Sequence, residues 1–223
     1  MHIHRCTLIL QESVYYATRE MGTLYETGNH LHNYALTYAL FNDSSIRVPY
    51  FCNSYRPTYA DDLREITKLG IYVSPAQPLQ IDFLLATWKM GQVDYYRKPE
   101  RFGERGNYPD NYGRAKELAP ESTFVCYVLS AAPVALPRWI RLGKWHSKAL
   151  VAAEEVAVQQ RSGDYIAACA LNPLDVPAGV LRAFDIISMP PSSLVAHARC
   201  AGDYYELERG VGLPAGLRYA FHS

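Results

Sequence analysis

The 223-residue sequence has few of the features that mark secreted, membrane-spanning or metal-binding proteins. It contains no run of about 18 apolar residues, and the apolar stretch after Ile3 is too short for a signal peptide. Its five cysteines are odd in number and include no Cys-x-x-Cys pair, so they predict neither a disulfide framework nor a zinc site. We therefore expect a reduced, cytoplasmic protein without a metal, a cofactor or a membrane contact.

Net charge is also missing, because 22 lysines and arginines balance 22 aspartates and glutamates. Any binding of a polyanion must therefore depend on local patches of positive charge. Tyrosine, in contrast, is abundant, with 18 copies. Its flat ring and its hydroxyl suit interfaces and the stacking of bases, although it also packs well in β cores.

The hydrophobic periodicity predicts two helices near the N-terminus and many short strands after them. The helices are expected over 30–41, where Asn29 can cap the start, and over 59–69, where Gly70 can end the helix. Alternation places Cys6, Leu8 and Leu10 on one face of a first strand. Further short strands, separated by Pro and Gly, are predicted at 81–88, 122–130, 138–144, 147–158, 164–171, 182–189, 194–200 and 217–221. This order without βα alternation predicts an α+β protein with a mostly antiparallel sheet, and the length allows one large domain or two small ones that share a core.

Residues 89–121 differ from the rest of the chain. They are rich in Tyr, Gly, Asn, Arg and Pro, and they show no helical or strand period over more than 30 residues. Basic and aromatic residues alternate along the stretch, and acidic residues nearly cancel the charge. A mobile arm that orders on RNA and a plain surface excursion both fit this pattern.

The strongest local concentration of positive charge is 138–148. It holds four lysines and arginines, two tryptophans and a histidine, and no acid follows until Glu154. Cations interleaved with aromatic rings are typical of surfaces that neutralise phosphates and stack bases. A strand with a basic solvent-exposed face is the alternative. Because the chain as a whole is balanced in sign, we favour contact with nucleic acid.

Other motifs carry less chemistry. The glycine-rich run 210–216 has no following helix and no P-loop lysine, so its spacing predicts an ordinary turn. His30 and His32 would not share a helix face and therefore make a poor metal chelate. No Ser-His-Asp or Cys-His signature stands out in the sequence.

Two segments resemble a known family. Residues 15–27, YYATREMGTLYET, and 32–40, HNYALTYAL, resemble the N-terminal signature of the Csc family, the Cas-five-type RAMP subunits of type I-D CRISPR systems. The run RLGK at 141–144, followed by Ser147 and Lys148, resembles the central motif of that family. The run 210–216 resembles the glycine-rich loop common to RAMP proteins.

The resemblance implies a fold and a role. The fold would be a single domain over residues 1–223, with a ferredoxin-like (RRM-like) RAMP core, a smaller β-rich C-terminal portion and an inserted thumb, for which 89–121 is the candidate. The role would be that of a non-catalytic subunit of the type I-D interference complex, Cascade, in antiviral defence. Such a subunit binds the 5′ handle of the CRISPR RNA and bridges the backbone RAMP subunit and the large subunit. A contact with target DNA near the protospacer-adjacent motif stays open.

The resemblance also implies RNA-binding roles for particular residues, namely Arg19, Tyr25, His32, Arg141, Lys144, Lys148, Gly210 and Gly212. The three cations of the central motif would neutralise handle phosphates. The N-terminal residues would lie at the surface for RNA or a neighbouring subunit. The two glycines would let the main chain approach the RNA, whereas Tyr34, on the apolar helix face, is expected in the core.

Two alternatives compete with this interpretation. The first is a metal-independent endoribonuclease that cleaves CRISPR repeat RNA. It would need a general base and a group that stabilises developing charge, such as His146 or His32 with Lys144 or Tyr34. The second is a protein scaffold without any RNA contact.

Overall fold

A computed structural model of the chain describes residues 1–22, 24–42, 46, 48, 58–89 and 112–221. The helices of this part are α1 (Asn33–Phe41), α2 (Tyr59–Asp62) and α3 (Arg64–Lys68). Its strands are β1 (His2–Leu10), β2 (Arg19–Met21), β3 (Leu24–Glu26), β4 (Tyr72–Val73), β5 (Gln77–Gln80), β6 (Phe83–Lys89), β7 (Tyr112–Leu118), β8 (Thr123–Ser130), β9 (Trp139–Leu142), β10 (Ser147–Glu155), β11 (Gln159–Ala167), β12 (Leu181–Ile187), β13 (Leu194–Glu208) and β14 (Val211–Pro214). None of these helices combines the length and the apolar character that crossing a bilayer needs.

The largest sheet is antiparallel and has the order β4-β8-β1-β10-β9, with β5 also paired to β8. The predicted first strand is confirmed, since Cys6, Leu8 and Leu10 are all fully buried on one face of β1. Helix α1 packs against β4 and β9. The main hydrophobic core therefore lies between this sheet and the helices, and the prediction of a strand-rich α+β fold is confirmed.

Helix α1 begins at Asn33, three residues later than predicted. Leu31 forms a bridge with Ala76, which keeps the chain extended up to the helix. The cap is therefore His32, whose Nδ1 accepts a hydrogen bond from the Tyr34 amide, and the predicted cap Asn29 lies outside the helix.

The predicted helix 59–69 is divided into α2 and α3 at Leu63, whose side chain is fully buried. Ile66 is buried beside it in the core. Gly70, with φ +65°, ends this segment as predicted.

Three C-terminal predictions are wrong in their bounds, and one of them is the strand predicted at 194–200, since β13 continues to Glu208. Strand β11 begins at Gln159, five residues before the predicted start at 164. The prediction missed these residues because they are polar and solvent-exposed and carry no apolar signal. Residues 217–221 form no strand, although Leu217 and Tyr219 are buried in alternation. The last strand is β14, which pairs with β13 and over two residues with β11, while β11 also pairs directly with β13 in the four-stranded sheet of β11 to β14.

The third sheet has the order β2-β3-β7-β6. Strands β6 and β7 form an antiparallel pair from Phe83 opposite Leu118 to Lys89 opposite Tyr112. The stretch 89–121 thus includes a strand that its sequence does not announce, because the apolar alternation is replaced by Arg, Lys and Glu. The predicted thumb begins and ends in this pair, and 90–111 lie outside the described residues.

A buried carboxylate joins the helix, the large sheet and the C-terminal segment. One oxygen of Asp175, Oδ2, accepts hydrogen bonds from the Asn33 side chain at 2.8 Å and from the Tyr72 hydroxyl at 3.1 Å. Its other oxygen, Oδ1, accepts the amide of Ala220 at 2.9 Å. Burial raises the pKa of Asp175 to about 6, and these three donors oppose that rise.

We expect Asp175→Ala to lower the free energy of unfolding by about 3 kcal/mol, because it leaves two buried donors, on Asn33 and Tyr72, and the part-buried Ala220 amide without an acceptor. Urea unfolding followed by circular dichroism measures this change. Asp203→Ala, at an exposed position of β13, is the control and should change stability by less than about 0.5 kcal/mol. Equal effects of the two substitutions would contradict the structural role of Asp175.

Candidate nucleic-acid interface

The hairpin β9–β10 presents a basic and aromatic face. Along β9, Ile140 and Leu142 point inward while Trp139 and Arg141 point outward, and Lys148 of β10 lies opposite Arg141. The Arg141 guanidinium and the Lys148 ammonium each lie 5.6 Å from the centroid of the Trp139 ring, which is 49% exposed. Two cations beside one accessible indole can bind phosphate and stack a base. Trp139, Arg141 and Lys148 are called the hairpin face below.

One carboxylate partly balances the hairpin face. An oxygen of Glu12, Oε2, lies 3.7 Å from Nη1 of Arg141 and accepts the main-chain amide of Lys148 at 2.9 Å. The same Arg141 nitrogen donates to the carbonyl of His146 at 3.1 Å. Arg141 is therefore oriented by two partners, and one positive charge stays in excess.

The turn after β9 packs against the N-terminal segment. Its first residue, Gly143, has φ +72°, and a Cβ there would lie 2.8 Å from the carbonyl oxygen of Tyr15. That same carbonyl accepts the amide of Lys144 at 2.9 Å. Trp145 stacks on the Tyr15 ring with centroids 5.7 Å apart, and the Lys144 ammonium lies 5.8 Å from that ring. The central motif and the N-terminal motif therefore meet at one place.

A groove runs from this turn towards β7. Its first cavity, about 320 Å³, is lined mainly by rings, Met and Pro: Tyr16, Ala17, Thr18, His30, Leu31, His32, Tyr34, Ala35, Tyr38, Tyr59, Lys144, Met189, Pro190 and Pro191. Its second cavity, about 380 Å³, is more polar and includes Arg19, Glu26, Phe83 and Lys116. Because Thr18, His30 and Met189 line both cavities, we treat them as one groove.

The second cavity carries two cations and one carboxylate. The oxygens of Glu26 lie 3.8 Å from Arg19 and 3.8 Å from Lys116. The Lys116 ammonium also lies 4.2 Å from the centroid of the Phe83 ring. Positive charge is thus in excess at this end of the groove, as it is at Lys144.

His32 forms part of the groove wall. Its Nδ1 accepts the amide of Tyr34 at 3.2 Å, and its Nε2 lies 3.0 Å from Oγ of Ser192. Burial lowers the pKa of His32 to about 4, so the ring is neutral near pH 7. The lone pair of Nδ1 is in use, so Nε2 carries the proton and donates to Ser192. Neither nitrogen is free to accept a proton, which weighs against His32 as the general base of a nuclease.

The structure brings some of the predicted site residues together and separates others. Arg19, His32 and Lys144 line the groove, and the predicted core position of Tyr34 is confirmed. The adjacent hairpin face holds Arg141 and Lys148.

Tyr25 lines neither cavity and is half-buried on β3, between Glu20 and Ala115. A role for Tyr25 at the RNA or at a neighbouring subunit stays a prediction.

The two C-terminal glycines lie apart from the groove. The turn prediction for 210–216 is confirmed only at its ends, at Gly210 with φ +74° and at 215–216, because 211–214 form β14. Gly210 lines a different cavity with Arg182 and Arg199. A Cβ on the buried Gly212 would collide with the carbonyl oxygen of Tyr205, so this close approach is made to the protein's own strand. An RNA contact at either glycine stays a prediction.

Three groove residues were not singled out from the sequence as site residues. Lys116 lies in β7, whose strand character its polar sequence hides. Tyr16 and His30 lie in or beside the N-terminal signature, but only the folded chain shows that they share a cavity. The cluster of Pro and Met at 189–191 carried no chemical signal of its own.

Cysteine and metal chemistry contribute little here. Cys6, Cys126, Cys169 and Cys200 are free thiols and are buried. Within the described ranges, no three His, Cys, Asp or Glu side chains cluster closely enough to hold a metal ion.

The fold and the groove together define a strand-rich α+β protein with a cationic, aromatic surface. A comparison with protein-family models places residues 1–222 in the family described as type I-D CRISPR-associated protein Cas5/Csc1. The match covers nearly the whole chain, so the chain belongs to this family, and the resemblance seen in its sequence is confirmed. A search of the curated proteins finds no match.

We expect Gly143→Ala to destabilise the protein more than Gly179→Ala does. Both glycines have positive φ, +72° and +78°, so both substitutions strain the backbone by about 1 kcal/mol. Only at Gly143 would the new Cβ also meet a carbonyl oxygen, since no atom lies within 4 Å of a Cβ at Gly179. Thermal unfolding should show an additional loss of about 1 kcal/mol or more for Gly143→Ala. Equal losses would mean that the turn does not depend on its contact with Tyr15.

Proposed function

We propose that the protein is a non-catalytic subunit of the type I-D CRISPR interference complex that binds the 5′ handle of the CRISPR RNA. The observation that carries the proposal is the packing of the turn at Gly143 against Tyr15. It joins the basic hairpin face to the groove, and so aligns cations from two segments that are far apart in sequence. Membership in the Cas5/Csc1 family supports a place in a CRISPR complex.

The chemistry of the surface suits single-stranded RNA. Arg141 and Lys148 lie beside Trp139, Lys144 lies beside Tyr15, and Lys116 lies beside Phe83. Proteins that hold a single strand combine cations along the backbone with rings on which bases stack. The zero net charge of the chain fits a subunit that shares its RNA with neighbours and does not bind polyanions over its whole surface.

The topology supports a ferredoxin-like core. Strand β8 is antiparallel to both β1 and β4, so β1 and β4 run in the same direction, and the chain between them holds α1 to α3. Strand β10 then pairs on the other side of β1. This is the arrangement of the first βαβ unit of a ferredoxin-like fold with its third and fourth strands. The structure describes every residue of 131–146, which connect β8 to β10. This connection contains β9 and turns in place of a second helix.

The site geometry gives the nuclease alternative no support. Both ring nitrogens of His32 are engaged, and Tyr34, although it lines the first cavity, is buried against the Tyr59 ring. His146 lies in the exposed turn with φ +54°. We therefore propose that the subunit holds RNA without cleaving it.

The test of RNA binding is to co-express the tagged protein with a CRISPR array and its neighbouring subunits, and to sequence the RNA that copurifies. We expect RNAs that share one repeat-derived 5′ end. The double variant Arg141→Ala with Lys144→Ala should lose most of this RNA, because two cations that neutralise phosphates are removed. The slope of log affinity against log salt concentration should become shallower by about 0.7 for each phosphate that is no longer neutralised.

The matched control is Arg64→Ala with Lys68→Ala. It removes the same two charges, but from α3, where they pair with Asp61 and Glu65. This control should retain RNA as the unmodified protein does. If both double variants behave alike, or if no RNA with a common 5′ end is enriched, the subunit is a scaffold and the proposal fails.

The β6–β7 pair is our candidate for the contact with a neighbouring subunit. Leu84 and Leu85 point to opposite faces of β6, yet they are 47% and 64% exposed, so both faces of this strand meet solvent. Apolar side chains on both faces of a strand indicate a surface that a partner covers.

We expect Leu84→Gln with Leu85→Gln to reduce copurification of the backbone or large subunit at least several-fold, because the interface then buries less apolar area. The single-chain stability should change little, since both side chains are exposed. Leu79→Gln, at the similarly exposed position of β5, is the control and should retain the partners. Quantitative gel analysis of the purified complex measures the ratio of the partner subunit to this chain. An unchanged ratio in the double variant would show that the partner docks elsewhere.

A further inference from the structure

We propose that the first cavity of the groove is a pocket for one unpaired nucleobase, whose neighbouring phosphate lies on Lys144. This inference rests on the proposed RNA binding. It adds a specific site that binds a single base of the 5′ handle.

The lining of the cavity fits a planar ring system. Rings of Tyr16, Tyr38 and Tyr59 and the flat faces of Pro190 and Pro191 make up much of its wall. Its volume of about 320 Å³ is near the lower end of the range for small-molecule pockets, roughly 300 to 1,000 Å³. The small side chains of Ala17 and Ala35 keep this space open. A base can enter such a cavity only when it is splayed out of the strand, as unpaired RNA permits.

We assign the recognition of a base edge to His30, which lines the cavity. Nδ1 of His30 lies 2.9 Å from Oδ1 of Asn29. Burial, followed by the effect of His197, lowers the pKa of His30 to about 4, so the ring is neutral near pH 7. The proton then lies on Nδ1, which donates to Asn29, and Nε2 keeps a lone pair. An exocyclic amino group of a base can donate to this nitrogen.

Charge at the rim favours a nucleotide over an apolar protein side chain. Lys144 is exposed and lines the cavity, so its ammonium stands where the phosphate next to an inserted base would lie. The groove then continues to Arg19 and Lys116, which can hold the following phosphates. Glu26 is already placed between these two cations. An apolar side chain from a partner would fill the cavity but would leave this row of cations unused.

The test combines a cavity-filling variant with single abasic substitutions at each position of the 5′ handle. Ala35→Leu places a larger side chain in the cavity at a helical position where leucine is well tolerated. Ala60→Leu makes the same change on the exposed surface of α2 and is the control. Binding is measured with the complex reconstituted from the full chain and its neighbours.

We expect one position of the 5′ handle at which the abasic substitution weakens binding about tenfold, as loss of one stacked base would. The same effect should occur in Ala60→Leu. In Ala35→Leu the unmodified RNA should bind about tenfold more weakly, and the abasic substitution should have no further effect. His30→Phe keeps the ring and removes the acceptor, so it should remove any preference for an amino-bearing base at that position.

The outcomes separate the two proposals. If no position of the 5′ handle is sensitive to an abasic substitution, while RNA retention by the complex still depends on Arg141, the base pocket alone is overturned. Loss of a partner subunit in Ala35→Leu with an unchanged abasic profile would show a protein side chain in the cavity, and would also overturn it. RNA that no complex retains would overturn both proposals together.

Discussion

The contact between the turn at Gly143 and the carbonyl of Tyr15 is the constraint on which the proposed RNA surface depends. The turn comes so close that only a residue without Cβ fits, and its positive φ favours glycine as well. This approach sets the Lys144 amide on the Tyr15 carbonyl and the Trp145 ring on the Tyr15 ring. Because the contact uses main-chain atoms, it places the Lys144 side chain without an ion pair to any described residue. The cation of the turn therefore stays available for a ligand.

A second buried contact supports the opposite wall of the groove. His32 caps α1 and reaches Ser192, while Asn33, the next residue, binds Asp175. The start of the helix is thus tied to the C-terminal half of the chain by neighbouring hydrogen bonds in a buried setting. Polar groups in such a place are costly when unpaired, so they favour one arrangement of the helix against the 189–191 segment. A cavity formed between two elements needs this kind of fixed spacing to recognise a flat ligand.

Patterns that depend on neighbouring residues could be predicted from the sequence, and those that depend on distant ones could not. The burial of Cys6 and Leu8 and the turn at Gly70 followed from local alternation and backbone preference. The late start of α1 could not follow, because it depends on the pairing of Leu31 with Ala76. Strand β7 was hidden because both of its faces are largely polar. The site shows the same division: the cations of the central motif could be singled out, but their alignment with Lys116 and His30 requires the folded sheets.

If the proposed RNA binding holds, the acids within the interface explain how a chain without net charge would favour one polyanion. Glu12 and Glu26 lie 3.7 to 3.8 Å from the cations of the hairpin face and the second cavity. Exposed pairs of this kind contribute at most about 1 kcal/mol, so a phosphate can take the place of the carboxylate at little cost. The carboxylates also repel a backbone that follows another path. On the proposed role, the rings, above all Trp139 and the walls of the first cavity, would add stacking to the contribution of the cations in excess. On the proposed role, such a surface would bind an RNA by the positions of its bases as much as by its charge, and this would distinguish a dedicated subunit from a general binder of nucleic acid.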